Sequence, residues 1–272
     1  MSVFPQVPGK VLGAMRQYRR WLKSGQQDAF TINLTDDEKG DVRKQLNVSD
    51  GLVLGEAETR PILAAYGLDL VSGGLALDPQ EAIAIAEDIG FPVAAKVVSP
   101  QVLHKSDIGG IMLNLGSSDA IVNALNQMRE RIIKAKPNAE IKGFLIEKMA
   151  PKGLEVIVGL RRDSTFGPLM MFGLGGVFVE LFKDVGFGVA PLTKDQITRM
   201  INETKAGQLL KGYRGGPVYD QNAVVDAIGR LSQLALDFPQ ISEVEVNPLL
   251  VFPRGEGAQV LDARVILSKK MK

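Results

Sequence analysis

The chain has 272 residues, of which 45% are hydrophobic and 23% are charged, with 32 Lys and Arg residues against 31 Asp and Glu residues. These are ordinary values for a folded soluble protein, and a chain of this length buries a large core as one compact unit or as two tightly joined halves. The net charge of +1 gives no electrostatic reason to expect nucleic acid as a partner.

Cysteine is absent, and His104 is the single histidine. These two counts exclude disulfide bonds, thiolate metal sites, cysteine nucleophiles and histidine-rich metal sites. The sequence also has no apolar run of about 18 residues that could span a bilayer, and no apolar signal-peptide core near Met1. We therefore expect a cytoplasmic protein without a membrane partner.

Residues 1–50 differ in composition from the rest and are interpreted as an N-terminal extension or linker. A basic segment in this region could line one face of a helix with Arg16, Arg19, Arg20 and Lys23. Such a face could be a docking arm for another subunit, a nucleic-acid patch, or part of a transit peptide, since no acidic residue precedes Asp28. A solvated linker helix is the preferred interpretation.

From Gly51 onward, helix-like and strand-like segments alternate. Asp78, a first-turn proline and Glu81 predict the start of a helix that Gly90 ends. Capping patterns predict further helices after Ser117 or Ser118, after Thr193, and from Asp220 through Phe238. Strands are predicted at 93–98, 110–115, 144–149 and 154–160, with a closing hairpin at 241–252 and 259–267. This mixture indicates an α+β or α/β layered fold.

Lys96 lies in the middle of the apolar strand 93–98. Burying an unpaired ammonium group would cost several kcal/mol, about the penalty for an isolated ion, so the side chain must find an anion or reach solvent. It is either a phosphate ligand or a lysine that extends from the strand edge to water.

His104 lies in a loop between two predicted strands, in the sequence His-Lys-Ser-Asp, which runs into Gly109 and Gly110. A histidine beside a lysine and a hydroxyl group could accept or position a phosphoryl group. The alternative, favoured from these residues alone, is an exposed loop histidine.

Residues 172–184 contain Gly173, Gly175 and Gly176, followed by charged residues. A glycine-rich loop lets the backbone approach a phosphate closely. The pattern completes neither a Walker A loop nor a dinucleotide-binding fingerprint, so the signal is weak by itself.

The closing hairpin carries a set of oxygen ligands. Side chains two residues apart point the same way along a strand, which places Glu243, Glu245 and Asn247 on one face, and the returning strand offers Asp262. Glu245, Asn247 and Asp262 could converge on Mg²⁺ that bridges nucleotide phosphates. The alternative is an ordinary polar outer face.

Five ordered motifs, KVVSPQVLHKSDIGG, IEKMAPKGLEVIVG, FGLGGVFVEL, EVEVNPL and LDAR, resemble one family. The chain from Gly51 to about Leu267 is similar to the ATP-grasp subunit or domain of the nucleoside-diphosphate-forming acyl-CoA synthetases. Within them it is most similar to ADP-forming acetyl-CoA synthetase (acetate–CoA ligase), a relative of succinyl-CoA synthetase.

The resemblance implies an ATP-grasp fold, in which two α+β subdomains clamp ATP. It divides the chain into the extension 1–50 and an ATP-grasp domain at 51–272. Within that domain we expect a lid subdomain at about 70–147 and a second subdomain at about 148–272 together with 51–69.

The resemblance also implies roles for individual residues. His104 would be the catalytic phosphoryl carrier. Asn247 and Asp262 would hold Mg²⁺, with Glu245 close by. The ATP-binding residues would be Lys96 at the phosphates, Glu147, Lys148, Met149 and Ala150 at the adenine, Glu155 at the ribose, and Gly173, Gly175 and Gly176 on the phosphate side.

The implied activity is that of the ATP-binding β subunit of an acyl-CoA synthetase, with acetyl-CoA as the expected product. His104 would relay phosphate between ATP and a separate CoA-binding α subunit in a hetero-oligomer. Gly186 and Gly188 stand where family members often carry an arginine, which implies altered phosphate contacts. One alternative is a regulatory nucleotide-sensing module related to those fused to acetyltransferases. The other is an ATP-grasp ligase for a different acid.

Overall fold

The computed structural model describes residues 28–48, 52–102, 105, 108–176 and 184–268, together with residues 9, 11–13, 15, 16 and 19. Arg16 and Arg19 are helical and exposed, whereas Arg20, Lys23 and His104 lie outside the described residues. Within the described part of the chain, every helix is too short or too polar to cross a bilayer.

Helices and strands are mixed along the whole described chain. The helices are α1 (Asp36–Val48), α2 (Glu56–Ala65), α3 (Pro79–Ile89), α4 (Ser118–Ala135), α5 (Lys194–Asn202), α6 (Lys205–Leu210) and α7 (Gln221–Asp237), with a 3₁₀ turn at Tyr213–Gly215. The strands are β1 (Val53–Leu54), β2 (Gly73–Ala76), β3 (Val93–Val98), β4 (Ile111–Leu115), β5 (Gly143–Lys148), β6 (Leu154–Asp163), β7 (Gly167–Leu174), β8 (Val185–Val189), β9 (Ile241–Val251), β10 (Ala258–Val260) and β11 (Ala263–Leu267).

The smaller of two antiparallel sheets has the strand order β2-β5-β3-β4 and packs helices α3 and α4 on one face. Helix α3 starts where the Asp78 carboxylate accepts hydrogen bonds from the backbone N–H groups of Gln80 and Glu81, and it ends at Gly90 with φ +78°. Helix α4 buries Ile121, Leu125, Met128 and Ile132 and is capped by Ser117. The caps and the apolar spacing thus confirm both predicted helices.

The larger sheet has the order β1-β11-β9-β6-β7-β8, with β10 also paired to β9. Helices α5, α6 and α7 cover one face and share a core with its inward side chains. Thr193 and Gln196 form the predicted capping box of α5. Asp220 caps α7 by accepting from the Ala223 N–H at 3.2 Å. Both capping predictions are confirmed.

The closing hairpin differs from its prediction in one respect. Strand β9 forms as expected, but the returning chain is divided into β10 and β11 around Leu261 and Asp262. At this break the Asn247 N–H donates to the Asp262 carbonyl at 2.9 Å, and the Leu261 N–H donates to the Pro248 carbonyl at 3.0 Å. The Leu261 carbonyl is therefore not used in regular strand pairing.

Two separate cores support a division into subdomains. One core is built from residues 76–146 on the smaller sheet, and the other from residues 42–68 and 156–265 on the larger sheet. Helix α1, within the predicted extension, buries Val42 and Leu46 in the second core. We propose the predicted division into lid and second subdomain, with α1 added to the second.

Candidate functional site

Lys96 lies on the face of the smaller sheet that points away from α3 and α4. Strand alternation places it on the same face as Ala94, and the pairing of Ala94 with Glu147 on β5 brings Glu147 to that face too. The opposite face, with Val93, Ala95 and Val97, packs in the core. The strand therefore presents one buried ammonium group toward the larger subdomain.

The ammonium group of Lys96 has three acceptors. Its Nζ lies 2.7 Å from Glu56 Oε1, 2.6 Å from Glu147 Oε2 and 2.6 Å from the Leu261 carbonyl oxygen. The last contact uses the carbonyl that the break between β10 and β11 leaves unpaired. Lys96 is thus a buried lysine with anionic partners, and it joins the two subdomains.

Further charged groups surround this lysine. Lys105 Nζ lies 2.6 Å from Glu56 Oε2 and 3.8 Å from Asp262 Oδ2. Arg60 donates to Glu147 and to the Val71 carbonyl. We call this set the ion cluster; its six members are Glu56, Arg60, Lys96, Lys105, Glu147 and Asp262.

Burial and charge act in opposite directions within the ion cluster. Burial disfavours ionised Glu56, but Lys96 and Lys105 outweigh it and hold the pKa of this carboxyl below its ordinary value. Burial would also lower the pKa of Lys96, and the carboxylates of Glu56, Glu147 and Asp262 raise it instead. For Glu147, burial and the Glu56 charge prevail over Lys96, and its pKa is raised.

Asp262 is the half-buried carboxylate of the ion cluster. Desolvation and the nearby Glu56 charge raise its pKa to about 6, against the opposing effect of Lys105 and Lys96. An added cation would relieve this unfavourable ionisation, so the position suits a metal ligand.

Asn247 on β9 lies next to Asp262 at the break between β10 and β11. Asn247 Oδ1 accepts from the Gly176 N–H at 3.0 Å, and the Asn247 backbone bonds to Asp262. Glu245 is adjacent, with Oε1 3.4 Å from Asn247 Nδ2, but its Oε2 lies 2.6 Å from Arg264 Nη2. Glu245 thus has a resident cation as partner, whereas Asp262 meets Lys105 only at 3.8 Å.

The donor set fits Mg²⁺ bound together with phosphates. Mg²⁺ takes one or two protein oxygen ligands and completes its shell with water and substrate phosphate oxygens. Asn247 and Asp262 supply an amide oxygen and a carboxylate. Among the described residues, no group of three or more His, Cys, Asp and Glu side chains forms an all-protein metal cage.

The segment 147–150 connects the two subdomains. Glu147 directs its side chain into the ion cluster. The Lys148 ammonium group donates to the carbonyls of Ile89 and Gly90, each at 2.9 Å, and thereby caps α3. The Met149 N–H donates to Pro92 at 3.3 Å, and Met149 and Ala150 are half-buried. The side chains of Glu147 and Lys148 are therefore both engaged in contacts within the protein.

The predicted glycines have packing roles as well. A Cβ on Gly173 would lie 2.9 Å from Val185 Cγ1, and one on Gly175 would lie 2.8 Å from the Val156 backbone. Gly176 has φ +62°, and the exposed Glu155 reaches it, since a Cβ there would lie 2.7 Å from Glu155 Oε2. Strand β7 also includes Gly173, where the sequence indicated a loop.

Gly186 and Gly188 also face packed neighbours. A Cβ on Gly186 would collide with the Met200 carbonyl oxygen, and one on Gly188 would lie 3.0 Å from Leu192 Cδ2. A Cβ on Gly188 would also lie 3.2 Å from Met200 Sδ, so the close packing of α5 and the residues before it against β8 accounts for both glycines.

Sequence reasoning missed Glu56, Arg60 and Arg264 as members of this region. Glu56 is 6% exposed, and buried glutamate is rare without a paired cation. The signal was available: an acidic residue precedes an apolar helical stripe of α2. The same pattern is equally typical of an ordinary glutamate in the first turn of a helix. Only the folded structure shows that Glu56 contacts Lys96.

The family follows from a comparison with known proteins. A family model described as an ATP-grasp domain matches residues 46–267. The chain belongs to the ATP-grasp family. It is 42% identical over 214 residues to the β subunit of ADP-forming acetate–CoA ligase I of Pyrococcus furiosus, covering 79% of this chain and 91% of that subunit. Its identity to the β subunit of ligase II from the same organism is 45%, over 78% of this ATP-grasp chain and 90% of that subunit.

Longer relatives and solved structures are also similar to this chain. The ADP-forming acetate–CoA ligase I of Archaeoglobus fulgidus is 40% identical over 90% of this ATP-grasp chain, which spans 35% of that protein. A dinucleotide-forming acetyl-coenzyme A synthetase 1 structure from Ca. Korarchaeum cryptofilum, in complex with coenzyme A and Ca-AMPCP, has a TM-score of 0.79 at 42% identity, covering 84% of this chain and 99% of that one. Another structure of that synthetase, with Mg-AMPPCP, has a phosphohistidine segment pointing towards the nucleotide binding site (TM-score 0.72, 40% identity, covering 85% and 100%).

Proposed function

We propose that this chain is the ATP-binding, phosphoryl-transferring subunit of an ADP-forming acyl-CoA synthetase, with His104 as phosphoryl carrier. Acetate is the expected acid, since the relatives named above are acetate–CoA ligases. The observation that carries the proposal is the ion cluster. Lys96 and Lys105, the residue after His104, both contact Glu56, and Lys105 also lies 3.8 Å from Asp262.

Each expected site residue has a part in the proposal. Lys96 would bind the nucleotide phosphates once they displace a carboxylate. The backbone of residues 147–150 would hold the adenine, and the exposed Glu155 would reach the ribose hydroxyls. The backbone around Gly173, Gly175 and Gly176 would border the phosphates, where the Gly176 N–H already bonds to Asn247.

In the proposed transfer step the phosphoryl group moves from ATP to His104. A neutral imidazole nitrogen of His104 would attack the γ-phosphorus of ATP, forming an N–P bond as the bond to the β-phosphate oxygen breaks and ADP leaves. Lys96 would neutralise charge on the moving phosphoryl group. Asn247 and Asp262 would hold Mg²⁺, with Glu245 beside them, and the ion would supply charge neutralisation at the phosphates when bound.

The second half of the reaction needs a partner. The chain spans about a third of the single-chain relatives and nine-tenths of the β subunits. We infer that a CoA-binding α subunit receives the phosphoryl group in a hetero-oligomer. The sum is ATP, acid and CoA giving ADP, phosphate and acyl-CoA.

The test is phosphorylation of the purified chain by γ-labelled ATP with Mg²⁺. We expect acid-labile, base-stable label on the wild type and none on His104→Ala, with ATP binding retained in both. Label on the variant would refute the histidine assignment. Absence of label on the wild type, alone and with a CoA-binding subunit and despite ATP binding, would contradict the proposed function and leave a nucleotide-sensing role.

A further inference from the structure

Glu56 has no part in the transfer described above, although it lies at the centre of the ion cluster. It is the first residue of α2, after the N-cap Gly55, where the helix dipole favours a negative charge. Each of its carboxylate oxygens contacts a different ammonium group, Lys96 at 2.7 Å and Lys105 at 2.6 Å. Glu56 therefore links a lysine on β3 to the residue that follows His104.

The turn that contains Lys105 is fixed at its other end by backbone bonds. The Gly110 N–H donates to the Lys105 carbonyl at 2.7 Å, and the Val97 N–H donates to the Gly110 carbonyl at 2.9 Å. A Cβ on Gly110 would lie 2.8 Å from Val97 Cγ1, so the turn lies directly against β3. Apart from Glu56, the Lys105 side chain has an ion-pair partner only in Asp262, at 3.8 Å, among the described residues.

We propose that Glu56 is a positioning residue: it holds Lys105 close to Lys96 and thereby restrains the chain next to His104 for phosphoryl transfer. Consecutive Cα atoms are about 3.8 Å apart, so a fixed Lys105 limits the positions that the Cα atom of the preceding residue can take. The function assigned to His104 rests on the proposed function; the anchoring of Lys105 does not.

This arrangement predicts opposite effects on binding and transfer. The Glu56 carboxylate occupies Lys96, for which ATP phosphates must compete, so Glu56→Gln should bind ATP as tightly as the wild type or more tightly. The same change removes a charge-assisted contact to Lys105, and such contacts are worth about tenfold or more in an equilibrium. Phosphorylation of His104 should therefore slow by at least about tenfold.

The experiment combines two measurements on the full chain. Hydrogen exchange followed by mass spectrometry reports the peptide covering 103–112, and labelling by γ-labelled ATP reports transfer, with ATP affinity measured by titration calorimetry. Glu58→Gln is the matched control: it makes the same change in charge on the same helix, outside the ion cluster. Lys105→Gln should reproduce the Glu56→Gln effects on exchange and transfer but not the gain in ATP affinity, because Glu56 still contacts Lys96 in that variant. The double variant should add little to the exchange and transfer effects of either single change.

Faster exchange of the 103–112 peptide in Glu56→Gln, by at least about tenfold and with exchange elsewhere unchanged, supports the anchor. Unchanged exchange of that peptide overturns it. A Glu56→Gln variant that loses ATP affinity together with transfer, or exchanges faster throughout, would show a merely structural role and also overturn it. If the wild type takes no label at all, the proposed function fails, and the exchange measurement still decides the anchor.

Discussion

Replacing Lys96 by methionine removes the central cation of the ion cluster. Breaking a buried ion pair from one side costs about 3–5 kcal/mol, because the partner charge is left uncompensated. Here Glu56 keeps Lys105 and Glu147 keeps Arg60, so we expect the lower end of that range, about 3 kcal/mol. For a chain of this size the loss corresponds to a decrease in Tm of about 6–12 °C.

The pH dependence identifies the cause. Lys96 favours the ionised forms of Glu56 and Glu147, so its removal raises the pKa of both carboxyls in the folded state. A carboxyl with a raised folded pKa gains protons more readily when folded, so the variant recovers stability relative to the wild type as pH falls. The difference in unfolding free energy should be largest at pH 8 and smaller at pH 5.

Urea denaturation at both pH values measures this difference. Lys134→Met is the control, since Lys134 is exposed on α4 and its loss should change stability by no more than about 0.5 kcal/mol. A Lys96→Met variant as stable as the wild type at pH 8 would refute the structural importance of the ion pairs. An equal loss at pH 8 and pH 5 would refute the electrostatic cause.

Three further predictions concern the metal ligands, a packing glycine and α1. Mg²⁺-dependent ATP binding should weaken as pH falls below about 6, where Asp262 becomes protonated and ceases to be a ligand. Asp262→Asn should weaken Mg²⁺-dependent ATP binding at every pH. Calorimetric titrations that show pH-independent binding in the wild type would contradict the assignment of Asp262 as a ligand. Gly186→Ala should destabilise by about 1–3 kcal/mol through its collision with the Met200 carbonyl, whereas Gly116→Ala, with open space around it, should be tolerated; equal melting temperatures would be the contrary result. Leu46→Ala should cost about 2–5 kcal/mol by calorimetry if α1 is part of the core, and almost nothing if α1 is a dispensable linker.

Local signals predicted much of the fold. Capping residues such as Asp78, Thr193 and Asp220 accept hydrogen bonds from unpaired backbone N–H groups two or three residues later, so the helix starts can be derived from the sequence. Strands β1, β2, β7 and β8 were missed. Strand β8 has the sequence Val-Gly-Phe-Gly-Val, and its two glycines weaken the pattern that would predict a strand.

The site was less predictable, because its charges come from distant parts of the chain. The sequence indicated that Lys96 needs an anion, and strand alternation aligned Glu245 with Asn247. The anions that Lys96 meets lie 40 residues away at Glu56 and on β5 at Glu147. Such long-range pairs leave no periodic trace in the sequence. The resemblance to a family implied roles for individual residues that spacing alone did not indicate, and those roles stay predictions.

The balance of charge in the ion cluster bears on how a nucleotide could bind reversibly. The three cations and three carboxylates of the ion cluster neutralise one another, so a ligand would meet no uncompensated buried charge within it. ATP phosphates would have to exchange with carboxylates that already hold Lys96, which lowers the net gain from binding. Under the proposed function the site would have to release both ADP and ATP, and an internal carboxylate that competes for the same ammonium group would favour that release. Tighter ATP binding by Glu56→Gln would be the direct sign of this competition.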